Sequence, residues 1–185
     1  MSFITKNKNC FIKILRNFSF EKEILETYKL FKECRVSNNK IIFLGNGGSA
    51  SIASHVSVDL TKNAKIRSVN FNEPDLITCF ANDFGHQNWM KEALKMYCDK
   101  GDIIVLISSS GKSRNILNAA KWCVKSDLKF ITLTGNNYNN PLKKINKNGI
   151  NFWINSKAYN HIELAHLFIL LSIVDLIIGK NVYKA

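Results

Sequence analysis

Twice in this chain an apolar run that reads as a strand ends in a loop of small, hydrogen-bonding residues and passes into a helix. The first instance is Lys40-Ile41-Ile42-Phe43 leading into Leu44-Gly45-Asn46-Gly47-Gly48-Ser49. The second is Asp102-Ile103-Ile104-Val105-Leu106 leading into Ile107-Ser108-Ser109-Ser110-Gly111-Lys112-Ser113. Glycine lets the backbone turn sharply and approach a ligand closely. A helix N-terminus offers unpaired N–H groups to an anion, and serine hydroxyls add further donors. Two such loops in one chain predict a phosphorylated ligand held at the C-terminal edge of a parallel sheet.

The rest of the chain alternates in the same way. Apolar positions Phe20, Ile24, Leu25, Tyr28 and Phe31 predict a helix over Phe18–Val36, closed by Ser37-Asn38-Asn39. Strands are predicted at Lys40–Leu44, Ile66–Phe71, Ile103–Ile107, Phe130–Thr134 and Ile150–Ile154. Helices are predicted at Ser49–Asn63, Glu73–Ala81, Gln87–Cys98, Ser113–Lys125 and His161–Ile178, with Asn82-Asp83-Phe84-Gly85 read as a turn. This order specifies an α/β fold, a doubly wound and largely parallel sheet of about five strands flanked by helices. The whole of 1–185 reads as one domain, with 1–36 an N-terminal helical segment and 37–185 the α/β core. The leading helix follows no strand and is available to pack against another subunit.

Composition sets the outer bounds. A 46% apolar fraction and only two prolines argue against disorder. The excess of 26 Lys and Arg over 14 Asp and Glu gives a net charge of +12, but the basic residues are spread along the chain with no nucleic-acid-reading motif. No nucleic-acid partner is expected; the positive field suits an anionic substrate. The longest apolar stretch, Leu167 to Ile178, is too short for a membrane span and carries Asp175. No signal peptide is read in the first residues. Five cysteines without a CxxC pair fit a reduced, cytoplasmic setting better than disulfides or a thiolate zinc site.

Taken in order, GNGGS, ANDFG, ISSSGKS, ITLTG and the IELAH of the last helix resemble the sugar isomerase (SIS) domain, and within it the bacterial phosphoheptose isomerases. The resemblance runs from about Phe20 to Ile178. It implies conversion of sedoheptulose 7-phosphate to D-glycero-D-manno-heptose 7-phosphate, in heptose biosynthesis for lipopolysaccharide or capsule. Carried over by position, it implies that Asn46, Gly47, Gly48 and Ser49 line the sugar-phosphate site. Asn82 and Asp83 contact the substrate, and Ser108, Ser109, Ser110 and Ser113 bind its phosphate. Lys112 stands where the family has a neutral residue. A homotetramer whose neighbouring subunits complete each site is also implied.

Aldose–ketose isomerisation moves a proton between C1 and C2 through an enediol, and needs a base together with an acid or a metal near the carbonyl oxygen. In the family, a His and a Glu four residues apart on the first helix, with a Gln and a His on the last, bind zinc. Here those positions hold His55, Asp59, Glu163 and Leu171. Leucine cannot ligate a metal. One reading is a three-ligand zinc site of His55, Asp59 and Glu163 with an open position. The other is a metal-free site with Asp59 or Glu163 as base. Both carboxylates also fall within reach of substrate in these readings. His166, three residues after Glu163, matches a family histidine and is a further catalytic candidate or a core residue. His161 opens the last helix, and His86 is expected at the surface.

Two functions compete. The intact loops, the ANDFG segment and His55 favour an active isomerase. Leu171 favours a non-catalytic relative that binds a phosphosugar or a protein, similar to the initiator-associating paralogue that binds the replication protein DnaA.

Overall fold

The computed structural model describes residues 1–182. Helices α1 (Phe3–Arg16) and α2 (Glu21–Val36) precede the core, which runs β1 (Ile41–Leu44), α3 (Gly48–Lys62), β2 (Ser68–Asn70), α4 (Pro74–Phe84), α5 (Trp89–Tyr97), β3 (Ile103–Ser108), α6 (Arg114–Lys125), β4 (Phe130–Thr134), α7 (Pro141–Ile145), β5 (Asn151–Trp153) and α8 (Tyr159–Ile178). The strands lie in the order β2-β1-β3-β4-β5 and every neighbouring pair is parallel. The chain winds outward from β1 to β2, then crosses back to β3 on the other side of β1. The C-terminal ends of β1 and β3 are therefore neighbours at the switch in winding direction, where open α/β sheets bind ligands.

Side-chain alternation along the strands divides the core in two. Ile41 and Phe43 of β1, with Ile103, Val105 and Ile107 of β3, face a layer built by α2, α3 and α8. Ile42, Leu44, Ile104 and Leu106 face the opposite layer, built mainly by α5 and α6. Strands covered on both faces read as continuous apolar runs, which is why these two were legible. At the other end of the sheet, Lys40 and Asp102 precede β1 and β3. The Lys40 ammonium lies 2.6 Å from Asp102 and 2.6 Å from Asp99. Asp102 also accepts from the backbone N–H of Lys40 at 2.9 Å and of Asp99 at 2.8 Å. Burial pushes the Asp102 carboxyl up, but these donors overcome it and hold the carboxyl below its ordinary range.

Several boundaries differ from the sequence reading. Residues Asn82 to Phe84, expected as a turn, form the last turn of α4, which opens with Pro74 at its first position and ends at Gly85. Proline is pre-shaped for that first position, and the helix continues until glycine stops it. The segment ahead of Phe18 forms its own helix, α1, whose N-cap Ser2 accepts from the Thr5 N–H. The Asn-rich loop after β4 contains α7, capped by Asn140, whose side chain accepts from the Lys143 N–H. Helix α8 is long and apolar enough to cross a bilayer, with a mean hydropathy of 2.0. Its residues Ile162, Ala165, Ile169, Leu170, Ile173 and Val174 instead complete the core against α2 and α3.

Candidate functional site

The first loop turns on Gly47, whose φ of +54° and ψ of −122° are open only to glycine. The turn delivers Gly48 and Ser49 into the first turn of α3, where the Ser49 N–H donates to the Asn46 carbonyl at 3.0 Å. Ser49 is buried, whereas Asn46 stays partly open. Glu163, from the second turn of α8, packs directly on Gly48. A Cβ at that position would collide with both carboxylate oxygens.

The second loop is anchored from beneath. Gly111 has a φ of +64°, and a Cβ there would strike the buried side chain of Asn140. Asn140 in turn donates to Thr134 Oγ1 at 3.1 Å, and the Leu142 N–H donates to the Gly111 carbonyl at 3.1 Å. Ser108 and Ser113 hydroxyls lie 3.2 Å apart across the loop. The Ser110 hydroxyl accepts from the Lys112 N–H at 3.2 Å, while the Lys112 side chain is exposed. Ser109 is only 6% exposed, and its hydroxyl has no hydrogen-bond partner among the described residues. Helix α6 then starts at Ser113 with no side-chain cap and no acid in its first turn. Its leading N–H groups and four serines together suit an anion.

Between the loops lies an open cleft of about 870 Å³ lined by Asn46, Gly47, Gly85, His86, Gln87, Ser113, Arg114 and Asn115. That is ample for a phosphorylated sugar. Of the residues named from the sequence, Asn46, Gly47 and Ser113 line this cleft, whereas Gly48, Ser49, Ser108, Ser109, Ser110 and Glu163 are not among its lining residues. His86, expected at the surface, is exposed and faces this cleft. Gln87, Arg114 and Asn115 are additions the sequence reading missed. The only signal for the last two was their place immediately after the serine loop. Asn82 and Asp83 lie outside the cleft lining, exposed on α4, with the Asn82 amide donating to Asp83 at 2.9 Å.

His55 and Asp59 do share a face of α3, with Nε2 3.5 Å from the carboxylate, and the Asn63 amide donates to Asp59 at 3.1 Å. Glu163 does not join them within one chain. It sits at Gly48, seven residues and roughly 10 Å of helix before His55. Further along α8, Asp175 lies opposite Asp59. Burial, then the Asp59 charge, raises its carboxyl above the ordinary range. Among the described residues no three His, Cys, Asp or Glu side chains gather as a metal-holding group. The His55/Asp59/Glu163 set therefore does not fit zinc inside a single chain. Leu171 packs against the core.

His166, the further catalytic candidate from the sequence, is enclosed in the core. The ring is 0% exposed, and Nε2 donates to the Thr134 carbonyl at 3.1 Å. Burial drives its pKa down to about 4, against the smaller raising effect of that bond. The bond ties α8 to the end of β4, while Nδ1 has no hydrogen-bond partner among the described residues. His161 is likewise structural, bonded at 2.8 Å to Asn7 of α1.

A doubly wound parallel sheet with a serine-rich loop and a glycine loop side by side at its switch point defines an α/β domain of the kind that binds ligands at that edge. The sequence pattern of the SIS domain matches residues 11–135. The phosphoheptose isomerase of Buchnera aphidicola subsp. Acyrthosiphon pisum is 32% identical over 174 residues, covering 86% of this chain and 89% of that protein. Among solved structures, the phosphoheptose isomerase from Neisseria gonorrhoeae superposes with a TM-score of 0.88 at 22% identity, over 94% of this chain and 97% of that one. The enzyme from Francisella tularensis gives 0.85 at 24% identity, over 97% and 100%. The chain belongs to the SIS-domain family and, within it, to the phosphoheptose isomerases.

Proposed function

We propose that the chain isomerises a sugar phosphate, converting sedoheptulose 7-phosphate to D-glycero-D-manno-heptose 7-phosphate. The observation that carries the reading is the placement of the Glu163 carboxylate on Gly48, in the first turn of the helix that follows the glycine loop. The serine hydroxyls of 108, 109, 110 and 113, with the first N–H groups of α6, hold the phosphate. Asn46 bonds hydroxyls of the sugar chain. Glu163 takes a proton from C1 of the ketose; the electron pair forms the C1–C2 double bond of the enediol as the carbonyl oxygen gains a proton. Returning the proton to C2 while the C1 hydroxyl loses its own gives the aldose.

The finer parts of the reading belong to the same proposal. The product feeds heptose synthesis for lipopolysaccharide or capsule in the cytoplasm. Copies assemble as a homotetramer, in keeping with the exposed apolar side chains Leu164, Phe168, Leu25, Phe3 and Ile4. His55 and Asp59 supply two donors to any zinc, and a third has to come from a second copy. Leu171 is the observation behind the other reading, a phosphosugar receptor without turnover.

The test is conversion of sedoheptulose 7-phosphate to aldose, followed by NMR on the purified protein before and after chelation. Conversion supports the isomerase. Tight binding without conversion overturns it in favour of the receptor.

A further inference from the structure

Asn115 is 3% exposed at the start of α6, yet its amide reaches across to the glycine loop. Its Nδ2 donates to Asn46 Oδ1 at 2.9 Å, and its Oδ1 accepts from Asn46 Nδ2 at 3.1 Å. The same Oδ1 accepts from the Ile116 backbone N–H at 3.0 Å. Only an oxygen can receive that backbone donor, so the orientation of the Asn115 amide is fixed by the helix. The reciprocal pair then fixes the orientation of Asn46. One N–H and one carbonyl lone pair of Asn46 remain for the cleft.

Resting on the sugar-phosphate reading above, we infer that Asn115 is a positioning residue: it locks the Asn46 amide so that its remaining donor and acceptor read the hydroxyls of the sugar chain, separately from the loop that holds the phosphate. The two halves of recognition are joined by this pair. The phosphate sits on the α6 side, the carbon chain on the α3 side, and the Asn46–Asn115 bond sets one against the other. A ligand without a hydroxylated chain gains nothing from it.

The experiment is a double-mutant cycle of Asn46→Ala and Asn115→Ala, read by binding of sedoheptulose 7-phosphate and of inorganic phosphate. Asn115→Ala alone is expected to weaken the sugar phosphate about 10-fold and leave inorganic phosphate within about two-fold. In the Asn46→Ala background it should have no further effect, because its action passes through Asn46. Additive losses, or an equal loss for inorganic phosphate, overturn the inference and make Asn115 a prop for the α6 terminus. Asn115→Ser replaces Asn115→Ala in the cycle if the alanine variant fails to fold. Wild-type protein that binds sedoheptulose 7-phosphate no better than inorganic phosphate overturns the sugar-phosphate reading as well, and is seen before any variant is made.

Discussion

The Glu163 carboxylate occupies the space in which any side chain at Gly48 would stand. This gives the glycine at that position a reason beyond turn geometry. Gly48 is the first residue of α3 and, unlike Gly47, has no positive φ, so the backbone itself accepts alanine. Gly48→Ala is expected to fold normally while pushing the carboxylate aside. A displacement of about 1 Å at a reacting group costs on the order of 100-fold in rate. Kinetics should show a fall in kcat with an unchanged melting temperature. An unaffected kcat would separate Glu163 from the chemistry.

Ser109 provides the test of the anion loop. Its buried hydroxyl finds no partner among the described residues, an arrangement that is costly unless a ligand supplies one. Ser109→Ala should weaken inorganic phosphate and sugar phosphate alike, by about 10- to 100-fold, the range for a hydrogen bond to a charged group. Calorimetric affinities equal to wild type would place the phosphate elsewhere.

Asp102 tests the opposite end of the sheet. Its carboxylate joins the starts of β1 and β3 through Lys40. Asp102→Ala leaves the largely buried ammonium with only the exposed Asp99, and should cost about 3 kcal/mol in urea unfolding. Phosphate affinity of the folded variant should be unchanged. A loss below about 1 kcal/mol would show that the pair is dispensable.

His166 makes stability depend on pH. Above about pH 6.5 the ring is neutral in the folded and unfolded chains alike. As pH falls below that, the unfolded chain takes up a proton that the buried ring does not accept until about pH 4. Stability therefore declines between about pH 6.5 and 4, by on the order of 3 kcal/mol in total from this residue. His166→Leu should flatten the slope of unfolding free energy against pH across that window, whatever its effect at neutral pH. An unchanged slope would assign the acid sensitivity to other groups.

Local chemistry explains which parts of the site were legible. The glycine and serine loops announce themselves because each is a contiguous string whose residue types dictate its backbone. The Asn46–Asn115 bond spans loops 69 positions apart, and no local pattern marks it. It exists because β1 and β3 are neighbours, a pairing decided by the whole sheet. The same holds for Glu163. Its seat on Gly48 depends on how α8 lies along α3, and only the resemblance to the family groups it with His55 and Asp59. Asn82 and Asp83 belong to a helix and not to the expected turn for the opposite reason. Residues that favour turns were given more weight than the helix begun at Pro74, which carries through them to Gly85. For His166, the periodicity of α8 was compatible with either a site or a core role. Only the packing of α8 against β4 decides it.

The central claim is that Glu163 moves the proton between C1 and C2, and it is tested by comparing wild type with Glu163→Gln in turnover of sedoheptulose 7-phosphate. Glutamine keeps the shape of the side chain against Gly48 and cannot act as a base. The account predicts aldose formation by the wild type, and a fall of at least about 100-fold in kcat for Glu163→Gln with the affinity for sugar phosphate nearly unchanged. Full turnover by Glu163→Gln would contradict it.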